Sequence, residues 1–316
     1  MLVRPGSMRS ASVVPNFLIA GAAKCGTTSL YHYLKQHPDV FMSEVKEPNF
    51  LYRGIGCTHV DSSFPQSERS STFSFDSYCR HFEKGDGHKA VGEASTTTVF
   101  YYDRAIPAIR RYLGDPRILI ILRDPVQRAY SNYNYLLRDM RETLPFEEAL
   151  RVEEMRTKQG YGLMWRYKAV GLYAGQVRAF QDNFSRVKVL LYDDLKRNPA
   201  LQIDQIYRFL EVDPGFVPDV SRTHNVSAVP INAAFNALFV KPAGLHRIMR
   251  KVGGGLLGNK RWIQLRERIR RLNLQKPKPM PTDIERELRQ YFKKDILSLQ
   301  DCIQRDLSMW LKNETA

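Results

Sequence analysis

The chain has 316 residues, of which 43% are hydrophobic and 11% aromatic, so it can bury the core of one large domain. Its formal net charge of +15 favours an anionic ligand without choosing among nucleotide, acidic acceptor, membrane surface and nucleic acid. No stretch holds the roughly 18 continuous apolar residues of a membrane span. The four cysteines (Cys25, Cys57, Cys79, Cys302) form no C-x-x-C pair that would suggest zinc, and no metal site is expected. No export signal opens the chain, so free thiols and a cytoplasmic location are expected.

In chain order, residues 1–14 are polar and irregular and read as a flexible tail before a single domain spanning 15–316. Residues 16–20 form a short apolar run. The loop Gly21-Ala-Ala-Lys-Cys-Gly-Thr-Thr28 follows, and then residues 29–36, where Leu30 and Leu34 stand one helical turn apart. That is strand, glycine-containing loop, helix. Residues 53–75 are rich in Gly, Ser, Pro and Thr and read as an irregular excursion. Residues 90–95 suggest a second short strand ending in a polar loop, and 117–122 the clearest buried strand. The latter runs into Arg123-Asp124-Pro125 and a helix over 126–140, with Pro125 suited to a first helical turn. Residues 187–192 read as a fourth strand and 201–210 as a helix. Strands separated by helices predict an α/β fold of three layers, a mostly parallel central sheet flanked by helices.

From 222 to 280 the composition changes to 13 Lys or Arg against one acid, Glu267, read as basic helices joined by loops. Beyond it, Leu288, Tyr291, Phe292, Ile296 and Leu299 mark a helical pattern within 283–310 that should pack back on the domain.

Three places carry chemistry. In the loop after the first strand, backbone amides and a helix N-terminus make a cradle for phosphate oxygens. Thr27, Thr28 and Ser29 add hydroxyls and Lys24 a mobile cation. Gly21 and Gly26 have the G-x-x-x-x-G spacing, but Thr27-Thr28 stands where Lys-Ser/Thr of an ATP-binding loop belongs, which argues against an ordinary ATPase or GTPase. Such a loop is equally a plain strand-to-helix turn. Second, Arg123 ends a buried strand, where open α/β sheets bind ligands, and Ser131 lies eight residues on in the next helix. A guanidinium fork and a hydroxyl suit a phosphomonoester, although Arg-Asp-Pro is also a common helix start with its arginine paired to an acid. Third, Glu47 in Lys46-Glu-Pro-Asn-Phe50 is placed to act as a general base. A solvent-facing Lys-Glu pair is the alternative. Cys25 sits where a helix N-terminus can lower a thiol pKa, but a small loop-filling role is the commoner one. Tyr161, Trp165, Tyr167 and Tyr173 suit a sugar or lipid pocket or, more often at such spacing, core.

Residues 16–49, with the block NFLIAGAAKCGTTSLYHYLKQHPDVFMSEVKEPN, and residues 118–131, ILIILRDPVQRAYS, resemble the PAPS-dependent sulfotransferases (PAPS, 3′-phosphoadenosine-5′-phosphosulfate). The likeness is to the branch of heparan sulfate 3-O- and N-sulfotransferases and their bacterial relatives, and it covers about 15–230. The resemblance implies a P-loop-type fold and PAPS as co-substrate. It places Lys24, Cys25, Gly26, Thr27 and Thr28, with Ser29 beside them, on the 5′-phosphosulfate loop, and Arg123 and Ser131 on the 3′-phosphate. It gives Glu47 the role of base beside Lys24, and puts Asn225 and Ser227 on a late loop over the nucleotide. The implied reaction is sulfuryl transfer to a hydroxyl or amine of a glycan, lipid or small-molecule acceptor. One departure stands out. The heparan sulfate enzymes carry a lysine where this chain has Ala94, which argues against a glycosaminoglycan acceptor.

Two other readings remain open. A phosphate-loop kinase acting on a small molecule would need a metal-binding acid, for which Asp124 is the candidate. A polyanion- or membrane-binding protein with a degenerate nucleotide site is motivated by the basic 222–280 segment, which would make the protein peripheral to an anionic membrane. Its few aromatics (Phe235, Phe239, Trp262) show no stacking pattern, so no specific nucleic acid is expected.

Overall fold

The computed structural model of the protein describes residues 13–53, 74–221, 228–232, 235–236 and 272–312. The tail up to residue 12, most of the 53–75 excursion, Asn225, Ser227 and nearly all of the basic segment lie outside the described residues.

Five strands, β1 (Phe17–Gly21), β2 (Val40–Met42), β3 (Ala90–Ala94), β4 (Arg117–Leu122) and β5 (Val187–Leu191), form one sheet in the order β2-β3-β1-β4-β5, with every neighbouring pair parallel. Every residue of β1, β3 and β4 is buried, as the continuous apolar runs of β1 and β4 require of strands covered on both faces. Phe17 pairs with Gly92 on one side and Arg117 on the other. A Cβ on Gly92 would stand 2.1 Å from the Phe17 ring, so only glycine fits beneath it.

The first strand of the chain is the central one. The chain builds β2 and β3 on one side of it and β4 and β5 on the other, so the strand order reverses beside β1. In open α/β sheets a crevice forms at the carboxyl ends of the strands at such a switch point.

The helices among the described residues are α1 (Thr27–Leu34), α2 (Phe50–Arg53), α3 (Phe75–Cys79), α4 (Tyr102–Leu113), α5 (Pro125–Arg138), α6 (Phe146–Arg151), α7 (Glu153–Lys158), α8 (Tyr173–Asn183), α9 (Tyr192–Arg197), α10 (Pro199–Leu210) and α11 (Thr282–Ile303). A short antiparallel pair, β6 (Val229–Pro230) and β7 (Leu274–Gln275), packs by α5. Asp124 caps α5 by accepting from the Val126 amide at 2.9 Å, and Pro125 takes the first helical position as expected.

Helix α11 buries Ile284, Leu288, Phe292, Ile296 and Leu299 against α8 and α5. At about 2 kcal/mol per fully buried apolar side chain, this stripe outweighs the surface ion pairs of the fold, worth about 0–1 kcal/mol each. The helical pattern over 283–310 breaks at Gln304, which is left-handed at φ 51°. A separate turn, Ser308–Leu311, then buries Trp310.

Several elements were not expected from the sequence: the edge strand β2, the short pair β6 and β7, helices α2, α3, α4, α6, α7 and α8, and the polar helix α9. Of the four aromatics between 161 and 173, Trp165, Tyr167 and Tyr173 are buried in the core, and Tyr161 is exposed. The core role therefore holds for three of them. Around Tyr167, buried Glu142 accepts from its phenol at 2.6 Å and from both terminal nitrogens of Arg156 at 2.5 and 2.9 Å.

Candidate active site

The phosphate-loop residues, Glu47 and Arg123 follow the carboxyl ends of strands, whereas Ser131 lies within α5. The loop 22–26 leaves β1, Glu47 follows β2, Ser95 to Thr98 leave β3, Arg123 leaves β4, and Tyr192 leaves β5. The sheet thus lines them along one edge.

The loop after β1 turns through two left-handed residues, Lys24 at φ 70° and Gly26 at φ 91°. Gly26 is required twice over: its φ suits glycine, and a Cβ there would meet the Tyr192 ring at 2.7 Å. Helix α1 starts at Gly26 with no side-chain cap, and its first bond runs from the Leu30 amide to the Gly26 carbonyl at 3.1 Å. The first-turn amides, with Thr27, Thr28 and Ser29, therefore carry the positive end of the helix into the crevice.

Lys24 points at α5. Its ammonium lies 4.2 Å from the centre of the Tyr135 ring, and the Arg138 guanidinium lies 4.8 Å from the same centre. Burial pushes the Lys24 pKa down to about 7, helped by the charges of Arg138, Arg123 and Arg128 and opposed by Asp139. Arg128, Ser131, Tyr135 and Arg138 follow one another at steps of three and four along α5, so they form one stripe. Lys24 senses both ends of that stripe, with Ser131, itself buried, between them. The charge of Arg123 also acts on Lys24, and Gly26 and Arg123 lie against the same Tyr192 ring, so the loop and the end of β4 meet in an electropositive region.

Arg123 stacks over Tyr192, 5.1 Å from its ring centre, and among the described residues makes no pair with an acid. The acid-paired alternative fits its neighbours instead. Both Asp124 oxygens are engaged, Oδ1 by the Val126 amide and Oδ2 by Arg289 at 2.6 Å. This removes the kinase reading's candidate for a metal-binding acid.

Glu47, at φ 63°, is held by the exit of β3: Thr96 Oγ1 donates to Oε1 at 2.9 Å and the Thr96 amide to Oε2 at 3.3 Å. Lys46 donates to Oε1 at 3.0 Å, so the Lys-Glu pair is real, but it is partly buried rather than fully in solvent. Glu47 does not touch Lys24. Strand β3 lies between β2, which Glu47 follows, and β1, which Lys24 follows. Below Glu47, buried Glu93 accepts from Tyr78 at 2.6 Å. Burial, with the nearby charge of Glu47, raises the Glu93 pKa to about 7 against the lowering pull of Tyr78 and Ser95.

Cys25 is fully buried. Burial pushes its thiol up, against the pull of Arg128 and Tyr173, so helix N-terminal activation loses to desolvation and the loop-filling role fits. Sequence reasoning missed Thr96, Glu93, Tyr135, Arg138 and Tyr192. The rule that flagged Arg123, a polar residue at the carboxyl end of a strand, also flags Thr96 and Tyr192.

The sequence pattern of the Sulfotransferase family matches residues 15–216. Carbohydrate sulfotransferase 15 of Rattus norvegicus is 25% identical over 249 residues, which is 64% of this chain and 44% of that protein. The bifunctional heparan sulfate N-deacetylase/N-sulfotransferase 4 of Mus musculus is 26% identical over 220 residues, 64% of this chain and 23% of that one. The chain thus spans less than half the length of these curated relatives. The crystal structure of a sulfotransferase from Alicyclobacillus acidocaldarius superposes with a TM-score of 0.71 at 34% identity, covering 95% of this chain and all of that one. With the motif residues on one sheet edge and the pattern matched over most of the chain, the protein belongs to the sulfotransferase family.

Proposed function

We propose that the protein transfers the sulfuryl group of PAPS to a hydroxyl or amine of an acceptor, with Glu47 as general base. The observation that carries this reading is that the loop after β1 and the end of β4 meet: Gly26 and Arg123 both lie against the Tyr192 ring, and Tyr173 contacts both Cys25 and the Arg123 carbonyl. Lys24 and the first-turn amides of α1 hold the 5′-phosphosulfate, and Arg123 and Ser131 hold the 3′-phosphate, which selects PAPS over ATP.

The acceptor oxygen or nitrogen attacks sulfur in line with the bridging oxygen. As the new bond forms, the bond from sulfur to the bridging oxygen breaks, and its electron pair leaves on the phosphate of adenosine 3′,5′-bisphosphate. The acceptor proton goes to Glu47, whose carboxylate Thr96 orients from two directions. Lys24 and the loop amides stabilise the charge that builds on the leaving oxygen.

A carbohydrate acceptor is supported by the names of the relatives, which act on carbohydrate and heparan sulfate. Against a glycosaminoglycan stands Ala94, which is buried at the end of β3 and brings no charge to the crevice. The test is transfer of radiolabel from PAPS to components of a cell extract. Label that appears with the wild type and not with Lys24→Met supports the reading. Equal labelling by both proteins rejects it.

A further inference from the structure

Tyr173 is buried behind the crevice and is the first residue of α8. Its phenol donates to the backbone carbonyl of Arg123 at 3.0 Å. On its other side lies the Cys25 thiol, 3.7 Å from the phenol oxygen and 3.6 Å from the Ala23 carbonyl, with one proton to give to either. Burial holds both the thiol and the phenol above their ordinary pKa values, so both stay neutral. One side chain thus touches the loop that leaves β1 and the loop that leaves β4.

Tyr173 is itself anchored. Helix α8 has an apolar residue, Leu172, at its cap position and no local side-chain cap. That role is taken from a distance by Asp295 of α11, which accepts from the Tyr173 amide at 2.7 Å and from the Ala174 amide at 3.3 Å. Asp295 lies outside the residues matched by the family pattern.

We propose that Tyr173, anchored by Asp295, is a positioning residue that fixes the spacing between the two phosphate-gripping loops. This rests on the nucleotide reading above. A ligand gripped at two ends binds tightly only if the second grip is already at the right distance, because the cost of ordering it has been met by the fold. A ligand gripped at one end does not sense that distance.

The test is titration calorimetry of the full chain with adenosine 3′,5′-bisphosphate, adenosine 5′-monophosphate and adenosine 3′-monophosphate, for the wild type and Tyr173→Phe. The expected result is a bisphosphate affinity lowered by about tenfold, roughly the loss of one buried hydrogen bond, with each monophosphate within about twofold of wild type. Asp295→Asn should show the same pattern at smaller size, and it decides the matter alone if Tyr173→Phe does not fold. Unchanged bisphosphate affinity, or equal loss for all three ligands, overturns the positioning role and leaves the nucleotide site standing. A wild type that binds none of the three removes the nucleotide reading, and this inference with it.

Discussion

Arg289 reaches across 165 residues to place Nη1 2.6 Å from Oδ2 of Asp124, the residue next to Arg123. The same nitrogen donates to the Trp310 carbonyl at 2.6 Å, and Nη2 donates to Glu285 at 3.0 Å. Both Arg289 and Asp124 are buried. Helix α11 is therefore part of the frame of the crevice as well as a cover for the core. Arg289→Met takes the cation from two buried carboxylates, Asp124 and Glu285, and is expected to cost about 3–5 kcal/mol. Urea unfolding measures this. Adding Asp124→Asn to the same chain should recover about half of the loss, because one of the two stranded charges is then gone.

The lowered pKa of Lys24 gives a pH signature. Free protein holds this lysine half-charged near pH 7. An anionic ligand favours the charged form and raises the pKa in the complex. Affinity for adenosine 3′,5′-bisphosphate should then be flat below pH 7 and fall above it, toward about tenfold per unit, as the free lysine loses its proton. Calorimetry from pH 6 to 9 checks this, and Lys24→Arg should show no such fall.

Glu93 gives a signature in stability. Its folded pKa, about 7, is above the ordinary value of 4.5. The folded state binds the proton more tightly, so this contribution is complete below pH 4.5 and is lost as pH rises through 7. Compared with Glu93→Gln, the wild type should lose about 3 kcal/mol between those limits. Thermal or urea unfolding at pH 4.5, 6 and 7.5 reads the difference.

Glu47→Gln should lower turnover by about 10²- to 10⁴-fold, the usual contribution of a general base. It should leave nucleotide affinity within about twofold, because the side chain touches Thr96 and Lys46 and not the phosphate loops. Steady-state transfer assays with parallel binding titrations separate the two effects.

The fold was legible where hydrophobic runs are unbroken. Residues 117–122 are wholly apolar after Arg117, and every one of them is buried. Strand β2 escaped because it has three residues at the edge of the sheet, too few to show a period. Helix α9, YDDLKR, is polar and short and gave no apolar stripe. In the site, Lys24, Arg123 and Glu47 could be read because each sits beside a strand end or a turn signal. Their partners could not. Thr96 meets Glu47 because β3 lies between β2 and β1, and Tyr192 meets Gly26 and Arg123 because β5 lies beside β4. Strand order is a long-range property that no local window contains. Asp295 and Arg289 were hidden for the same reason, since their acceptors and donors are more than a hundred residues away.

The most direct test of a crevice that grips both phosphates is calorimetric titration of wild type and Arg123→Ala with adenosine 3′,5′-bisphosphate and with adenosine 5′-monophosphate. The expected result is wild-type binding of the bisphosphate, weakened by about 10- to 100-fold in Arg123→Ala, the value of a charge-assisted contact. The monophosphate should be changed by less than about twofold, since it lacks the group that Arg123 holds. No binding of the bisphosphate by the wild type, or the same proportional loss for both nucleotides, contradicts it.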